Sequence, residues 1–280
     1  MIFDRNENKE VIALLGAGSM GTAIVKRIAT GKKILLGDIS EKNLKAVSDS
    51  FKYGGYDVET CIVNALDKTS VEAFAQKAAS LGNVMYFIDT AGASPNQASP
   101  DHILNLDMVG TGYAVDAFGK VMAKGGSGLL ISSQAGYMLR LPDEVELEIL
   151  STPTEKLREI EYIKNTATNS GLAYMIAKRV NHLQAQRAAA TTWKERRARI
   201  NSMSPGIIVT PLAYDEFAAM GEGYQKMLDA SAAMRSGTSE EIADAAKFLL
   251  QDATFITGID LLIDGGVIAA IRTGMYRLGS

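Results

Sequence analysis

An uninterrupted apolar run, Val11 to Leu15, leads directly into Gly16-Ala17-Gly18-Ser19-Met20-Gly21 and then into an amphipathic stretch from Met20 to Thr30. A strand that is apolar at every position must be covered on both faces. A helix that follows it through a tight turn leads to a crossover and a parallel neighbour. The same alternation continues along the chain. Lys33 to Leu36, Asp57 to Val63, Val84 to Ile88, Gly128 to Ser132, Ala198 to Met203 and Ile259 to Ile263 have strand character. Glu41 to Phe51, Ser70 to Ser80, His102 to Ala123, Ala173 to Lys194 and Ser239 to Leu250 have helical character. No repeat, low-complexity segment or linker interrupts the pattern, so residues 1–280 are expected to form one domain. The expected fold class is α/β, a doubly wound parallel sheet with helices on both faces.

Composition excludes several functions. Lys and Arg number 29 against 32 Asp and Glu, and the net charge of −3 with no basic cluster argues against nucleic acid as a partner. No apolar run approaches the roughly 20 residues that cross a bilayer, so no membrane association is expected. The N-terminus is polar and mixed in charge, unlike a signal peptide. The one cysteine, Cys61, excludes an internal disulfide and a cysteine metal cluster. It is expected to be a small buried hydrophobe in a strand, and a reducing cytoplasm fits such a chain. His102 and His182 are too few for a metal site and are expected to be partly exposed on helices; Trp193 is expected to serve packing.

The Gly-rich turn sits where a G-x-G-x-x-G pattern means dinucleotide binding, after a strand and at the start of a helix. Its glycines let the backbone approach a pyrophosphate, and the helix N-terminus offers amide donors. Gly16, Gly18, Ser19, Met20 and Gly21 are therefore cofactor candidates in a Rossmann-like fold; a plain tight turn is the alternative. Asp38 ends the second strand, 22 residues after Gly16. A carboxylate there accepts from the adenosine ribose hydroxyls and repels a 2′-phosphate, which favours NAD(H) over NADP(H). The competing role for Asp38 is to cap the following helix, for which Ser40 is the better candidate. Asp67, after the third strand, borders the adenine or belongs to a turn.

Tyr174 and Lys178 are four residues apart in Ala-Tyr-Met-Ile-Ala-Lys, on one face of a predicted helix. An ammonium beside a phenol favours the phenolate, and such a tyrosine can exchange a proton with an alcohol at working pH. The pair also occurs by chance on many helices.

Taken in order, the Gly turn, Tyr174-x-x-x-Lys178 and Ser204-Pro205-Gly206 resemble the short-chain dehydrogenase/reductase family over nearly the whole chain. The resemblance implies a serine at the end of the fifth strand that holds the substrate oxygen, and Ser133 in Ile131-Ser132-Ser133-Gln134-Ala135-Gly136 takes that place. Thr90-Ala91-Gly92 resembles the family's Asn-Asn-Ala-Gly turn below the adenosine. Pro205, Gly206, Ile208 and Thr210 resemble the turn that holds the nicotinamide carboxamide, and Ile263-Asp264-Gly265-Gly266 resembles the C-terminal signature. In some respects the chain departs from the family. Met20 and Thr22 fill the later glycine places of the usual phosphate turn, and Asp89 replaces the first Asn. Asp107 falls where a catalytic-tetrad Asn is expected, on a locally bent helix whose main-chain carbonyl holds a water that leads to the lysine.

Ser133 and Tyr174 are also 41 residues apart, a long spacing for the family. The excess, 140–170, is acidic, and Glu155 to Lys164 is expected to be helical. It resembles an insertion before the catalytic Tyr in a branch of hydroxysteroid dehydrogenases and carbonyl reductases, where it covers a helix face used elsewhere for oligomerisation. A solvated surface excursion is the alternative. The segment from Thr210 to Gly237 carries Leu212, Tyr214, Phe217, Met220, Tyr224, Met227 and Met234, which suit either an apolar ligand or a helix packed on the core.

These features point to an NAD(H)-dependent oxidoreductase that interconverts a secondary alcohol and a ketone. Its substrate would be a hydroxysteroid or other hydrophobic carbonyl, and it would be a homodimer or homotetramer. Ser133 would hold the oxygen, Tyr174 would be the acid/base, and Lys178 would bind the ribose and tune Tyr174. Asp107 would support them. A 3-oxoacyl or sugar-alcohol dehydrogenase is the alternative within the family. A catalytically silent nucleotide sensor is the alternative outside catalysis.

Overall fold

The computed structural model describes residues 9–96 and 98–277, and for 211–220 it describes the backbone alone. The first half alternates strand and helix: β1 (Glu10–Leu15), α1 (Ser19–Ile28), β2 (Lys33–Asp38), α2 (Glu41–Tyr53), β3 (Asp57–Ile62), α3 (Lys68–Leu81) and β4 (Asn83–Asp89). There follow α4 (Pro100–Ile103), a π-helical stretch (Leu104–Gly110), α5 (Thr111–Gly119) and β5 (Met122–Ile131). A 3-10 turn (Gln134–Tyr137) leads to α6 (Asp143–Ser151), a second 3-10 stretch (Thr154–Glu159), α7 (Glu161–Thr166), α8 (Ser170–Ala190) and α9 (Thr192–Glu195). The chain continues through β6 (Arg199–Pro205), β7 (Ile208–Val209), α10 (Pro211–Ala230), β8 (Gly237–Thr238), α11 (Ser239–Lys247), β9 (Asp260–Ile263) and α12 (Val267–Arg272).

Among the described residues, β3-β2-β1-β4-β5-β6-β9 form one parallel sheet of seven strands. The continuous apolar run of β1 has a simple cause. Val11, Ala13 and Leu15 face a core shared with α3, α5 and α8, while Ile12 and Leu14 face a core shared with α1, α2 and α11. Both faces are covered, so no position is left to alternate with polar residues. The strand order reverses between β1 and β4, and a crevice outside the carboxyl ends of these strands is where such sheets bind ligands.

Several boundaries differ from expectation. The predicted helix His102 to Ala123 ends at Gly119, and Met122 already belongs to β5. The predicted helix to Lys194 breaks after Ala190, where Thr191 leaves the helical conformation before α9. Glu155 to Lys164 is not one helix: Ile160 is extended, with ψ 123°, and separates a 3-10 stretch from α7. His182 is fully buried instead of partly exposed, and Cys61 is half-buried in β3 instead of buried. His102 is exposed on α4. Trp193 is buried, its Nε1 donates to the Val115 carbonyl at 3.1 Å, and a side chain on Gly128 would lie 2.4 Å from its ring.

Segment 140–170 is acidic on its surface and has a core of its own. Leu141, Val145, Ile149, Leu157, Ile160 and Ile163 are buried against Ile103, Met108, Ala173, Ile176 and Val180. Ion pairs Lys68–Glu155, Arg158–Asp101 and Arg179–Glu146 tie its rim to α3, α4 and α8. A solvated excursion would leave its aliphatic residues in water, so that alternative does not describe this segment.

Candidate active site

The glycine turn shows why three of its positions lack a side chain. Gly16 has φ +84°, and a Cβ there would lie 2.6 Å from the Ala91 amide nitrogen. A Cβ on Gly21 would meet Thr90 Oγ1 at 2.7 Å and the Gly16 carbonyl oxygen at 2.9 Å, so α1 packs close to the strands here. Nothing lies within 4 Å of the corresponding point at Gly18, which faces open space. These are the turn, packing and approach roles of a G-x-G-x-x-G loop. They account for Met20 and Thr22 in the later glycine places: Gly21 already supplies the close contact. Gly18 caps α1 without a side-chain hydrogen bond, and no acidic residue sits in the first turn. The first amides thus remain available to an anion.

A cleft of about 890 Å³ opens over this turn, and Gly16, Gly18, Ser19, Met20 and Gly21 line it. Asp38 is at its edge. Asp38 Oδ2 accepts from the Ala17 amide at 2.9 Å and from Asn43 Nδ2 at 3.1 Å, and Oδ1 accepts from the Ser40 amide at 2.8 Å. The carboxylate is therefore held in place and still has lone pairs for a hydroxyl. Ser40 caps α2 by accepting from the Asn43 amide at 3.2 Å, so capping is not the role of Asp38. Asn43, which also donates to the Ala17 carbonyl at 3.0 Å, has little signature in the sequence. Asn at the third position of a capped helix next to a glycine turn is the only signal it gives.

The structure distributes the remaining candidates unevenly. Ala91, Gly92 and Thr210 line the cleft, together with Asn64 and Lys26. Asp67 does not line it: it caps α3, accepting from the Thr69 amide at 2.9 Å. Pro205, Gly206 and Ile208 lie outside the cleft lining. Gly206 packs against Asp264, where a Cβ would approach Cα to 2.6 Å, and Ile208 belongs to the core beside α11. Met227 is buried against Ile207, Val267 and Tyr276, and Met234 is exposed. Leu212, Tyr214, Phe217 and Met220 lie outside the described side chains.

On the chemical side, Ser133 ends the extended chain after β5 with φ −162°, and its Oγ accepts from the Ala135 amide at 3.1 Å. The hydroxyl proton stays free to donate elsewhere. Ser132 donates to the Lys178 carbonyl at 2.8 Å and so fixes the end of β5 against α8. Asn169 caps helix α8, its side chain accepting from the Leu172 amide at 2.9 Å, and the helix brings Tyr174 and Lys178 to one face. Lys178 Nζ lies 5.2 Å from the centre of the Tyr174 ring.

Lys178 is buried, with Asp107 Oδ2 at 3.3 Å. Burial opposes its charge, but Asp107 and Tyr174 outweigh burial and hold the ammonium above its usual pKa. Asp107 Oδ1 accepts from the Ala93 amide at 2.8 Å. Burial pushes the Asp107 carboxyl up, and Lys178 pulls against it. The bend expected near Asp107 is the π-helical stretch, and the Asp107 carbonyl accepts from Asn181 Nδ2 at 2.7 Å. Gly92 joins this group to the cleft, since a Cβ on it would lie 3.4 Å from both Asp107 carboxyl oxygens and from Lys178 Nζ. Asp89 is buried nearby, and burial raises its carboxyl to about 7. Among the described residues, no group of His, Cys, Asp and Glu could hold a metal ion. No helix among them is long and apolar enough to cross a membrane.

A parallel sheet that reverses its order beside such a turn is a dinucleotide-binding fold, and the residues present suit a nicotinamide dinucleotide. A family model described as enoyl-(acyl carrier protein) reductase matches residues 156–268. A short-chain dehydrogenase/reductase, bsc3, of Alternaria brassicicola is 37% identical over 94% of this chain and 97% of its own. An NADP-dependent mannitol dehydrogenase of Hypocrea jecorina is 28% identical over 81% of this chain and 77% of its own. An NADH-dependent L-xylulose reductase of Ambrosiozyma monospora is 25% identical over 89% of this chain and 91% of its own. A solved short-chain dehydrogenase/reductase from Serratia marcescens superposes with a TM-score of 0.72 at 22% identity, covering 94% of this chain and 98% of that one. The chain belongs to the short-chain dehydrogenase/reductase family. It is an oxidoreductase of that family, which binds a nicotinamide cofactor and works between alcohols and carbonyl groups.

Proposed function

We propose that the protein interconverts a secondary alcohol and a ketone with NAD(H). The observation that carries this reading is the buried Lys178 beside Tyr174, joined through Gly92 to a cleft whose rim holds Asp38. A bound nicotinamide would supply or accept the hydride. Ser133 donates to the substrate oxygen and stabilises its developing charge. Tyr174 gives its proton in reduction and takes one in oxidation. Lys178 binds the nicotinamide ribose and favours the phenolate, and Asp107 holds Lys178. Pro205, Gly206, Ile208 and Thr210 support the nicotinamide end. Asp38 accepts from the adenosine ribose and disfavours a 2′-phosphate. Asp67, as a helix cap, has no part in this reading.

A hydroxysteroid or other apolar ketone is the first substrate class, on the run of Met and aromatic residues between Thr210 and Gly237 in the sequence. A sugar alcohol is the second, favoured by relatives named for mannitol and L-xylulose. The assembly is a homodimer that does not use the face of α8 covered by segment 140–170.

The test is a screen of steroid, polyol and 3-oxoacyl substrates with NADH and NAD⁺, followed at the nicotinamide absorbance. Turnover should be lost in Tyr174→Phe with NADH affinity within a few-fold of wild type. It should fall roughly 10²-fold or more in Ser133→Ala. Asp38→Ser should narrow the preference for NADH over NADPH. Cofactor binding with no turnover on any substrate would leave a silent sensor as the better reading, and equal affinity for NADPH would remove the role of Asp38.

A further inference from the structure

Two acids and one cation share the buried space behind Tyr174. Asp107 Oδ2 is 3.3 Å from Lys178 Nζ, and that nitrogen is 5.2 Å from the Tyr174 ring centre. Asp89, at the end of β4, has Oδ1 engaged by the Ala91 amide at 3.0 Å, while its Oδ2 is buried with no hydrogen-bond donor among the described residues. With all three groups ionised, the cluster carries one uncompensated negative charge in a poorly solvated place. Such a charge opposes the formation of a second anion, the phenolate, next to it.

We infer that Asp107 and Asp89 set the ionisation of Tyr174: their carboxylates offset the field of Lys178, so the phenolate forms at higher pH than it would beside two amides. This rests on the reading of Tyr174 as the acid/base. The burial that holds the Asp89 carboxyl near 7 agrees with a cluster that keeps one extra proton until the solution is neutral. The other charged groups around the centre do not cancel the effect. His102 on α4 favours the Asp107 carboxylate when it is charged. Arg179 is engaged by Glu146, and His182, one turn beyond Lys178, is held neutral by burial down to about pH 4. The consequence for function is a direction of use. A tyrosine kept protonated at neutral pH is a ready proton donor, which suits reduction of a ketone, and oxidation is pushed to alkaline pH.

The experiment uses Asp89→Asn, Asp107→Asn and the double variant. Each Asn can accept the same backbone hydrogen bond, from Ala91 or Ala93, as the carboxyl it replaces. Tyr174 ionisation is followed by tyrosinate absorbance, with the Tyr174→Phe protein as the subtraction, and NADH affinity is measured alongside. The pH profile of alcohol oxidation is the second readout. Each single variant should lower the Tyr174 midpoint, and the double variant should lower it most, by roughly 1–2 units. A double variant within about 0.3 units of wild type, or one shifted upward, overturns the inference. If the double variant does not fold, Asp89→Asn with Asp107→Ser repeats the comparison with a smaller side chain. A tyrosinate shift without turnover on any substrate keeps the inference and removes the catalytic reading. Turnover without a shift does the reverse.

Discussion

Two buried polar clusters share helix α8, one turn apart, and they are completed to different degrees. Around His182 the ring, Ser204, Asp260 and Arg179 all have partners. Arg179 Nη1, which can only donate, lies 3.3 Å from Nδ1, so Nε2 carries the proton and donates to Ser204 Oγ at 2.9 Å. Asp260 on β9 accepts from Tyr137 at 2.8 Å and from Ser202 at 2.6 Å. Arg179 meets Glu146 of α6 through two parallel bonds of 2.8 and 2.9 Å. Around Lys178, by contrast, Oδ2 of Asp89 has no hydrogen-bond donor among the described residues, Oδ2 of Asp107 has only the Lys178 ammonium at 3.3 Å, and two acids face one cation. An unmatched buried polar group costs about 1–3 kcal/mol, and folding alone gives nothing in return. The matched cluster holds the turn that follows Ser133 against α8; Gly136 packs so close that a Cβ would lie 2.9 Å from His182 Cε1. The unmatched cluster lies beside Tyr174. The two clusters on the same helix thus differ in how far their polar atoms are matched.

The largest expected effect is kinetic. Lys178→Ala should lower kcat/KM roughly 10²–10⁴-fold and weaken NADH binding, whereas His182→Gln, which can still donate and accept, should change kcat/KM only several-fold. Steady-state kinetics with cofactor fluorescence would show it, and equal losses in the two variants would end the distinction. The next effect is on stability. Asp260→Ala leaves the Tyr137 and Ser202 hydroxyls short of an acceptor. It should cost about 2–4 kcal/mol in urea unfolding, against about 1 kcal/mol or less for Asp89→Asn, whose Oδ2 has no donor to lose.

The pH dependence of stability sharpens the contrast. Asp89 has a folded pKa of about 7, above its unfolded value near 4, so between those limits the unfolded state binds fewer protons and stability falls as pH rises. His182 has a folded pKa of about 4, below its unfolded value near 6.5, so stability rises with pH across almost the same window. The two slopes oppose each other in the wild type. Asp89→Asn should leave the rising slope, and His182→Gln should leave the falling one, as read from urea midpoints between about pH 4.5 and 6.5. Unchanged slopes would mean that neither group is shifted as its surroundings require. The smallest effect is expected for Arg179→Lys, which keeps the charge and loses the paired bonds to Glu146, at a cost of about 1 kcal/mol with kcat unchanged.

Much of the site could be read from the sequence because its signals are local. Gly16, Gly18 and Gly21 lie next to a strand and a helix start, and their spacing alone carries the turn, approach and packing roles seen in the structure. Tyr174 and Lys178 meet because an α-helix brings positions i and i+4 together whatever surrounds it. Asp38 was legible as the residue that ends β2 beside that turn. Asp67 was not, because a capping Asp and a ligand-facing Asp look the same until the following helix is placed.

By itself, then, the sequence determined the α/β class, the parallel order implied by strands buried on both faces, the glycine turn and the Tyr174–Lys178 face. Periodicity and spacing act within one element, and backbone geometry converts them directly into structure. Only the tertiary structure decided that Asp89 from β4 and Asp107 from the π-helical stretch converge on Lys178, and that His182 is buried against Asp260 of the last strand. It also decided that the acidic segment 140–170 closes a hydrophobic core over α4 and α8. A polar side chain tolerates burial when partners from other elements compensate it, and those partners are remote in sequence. No local pattern records which of them arrive, or whether the last hydrogen bond is made.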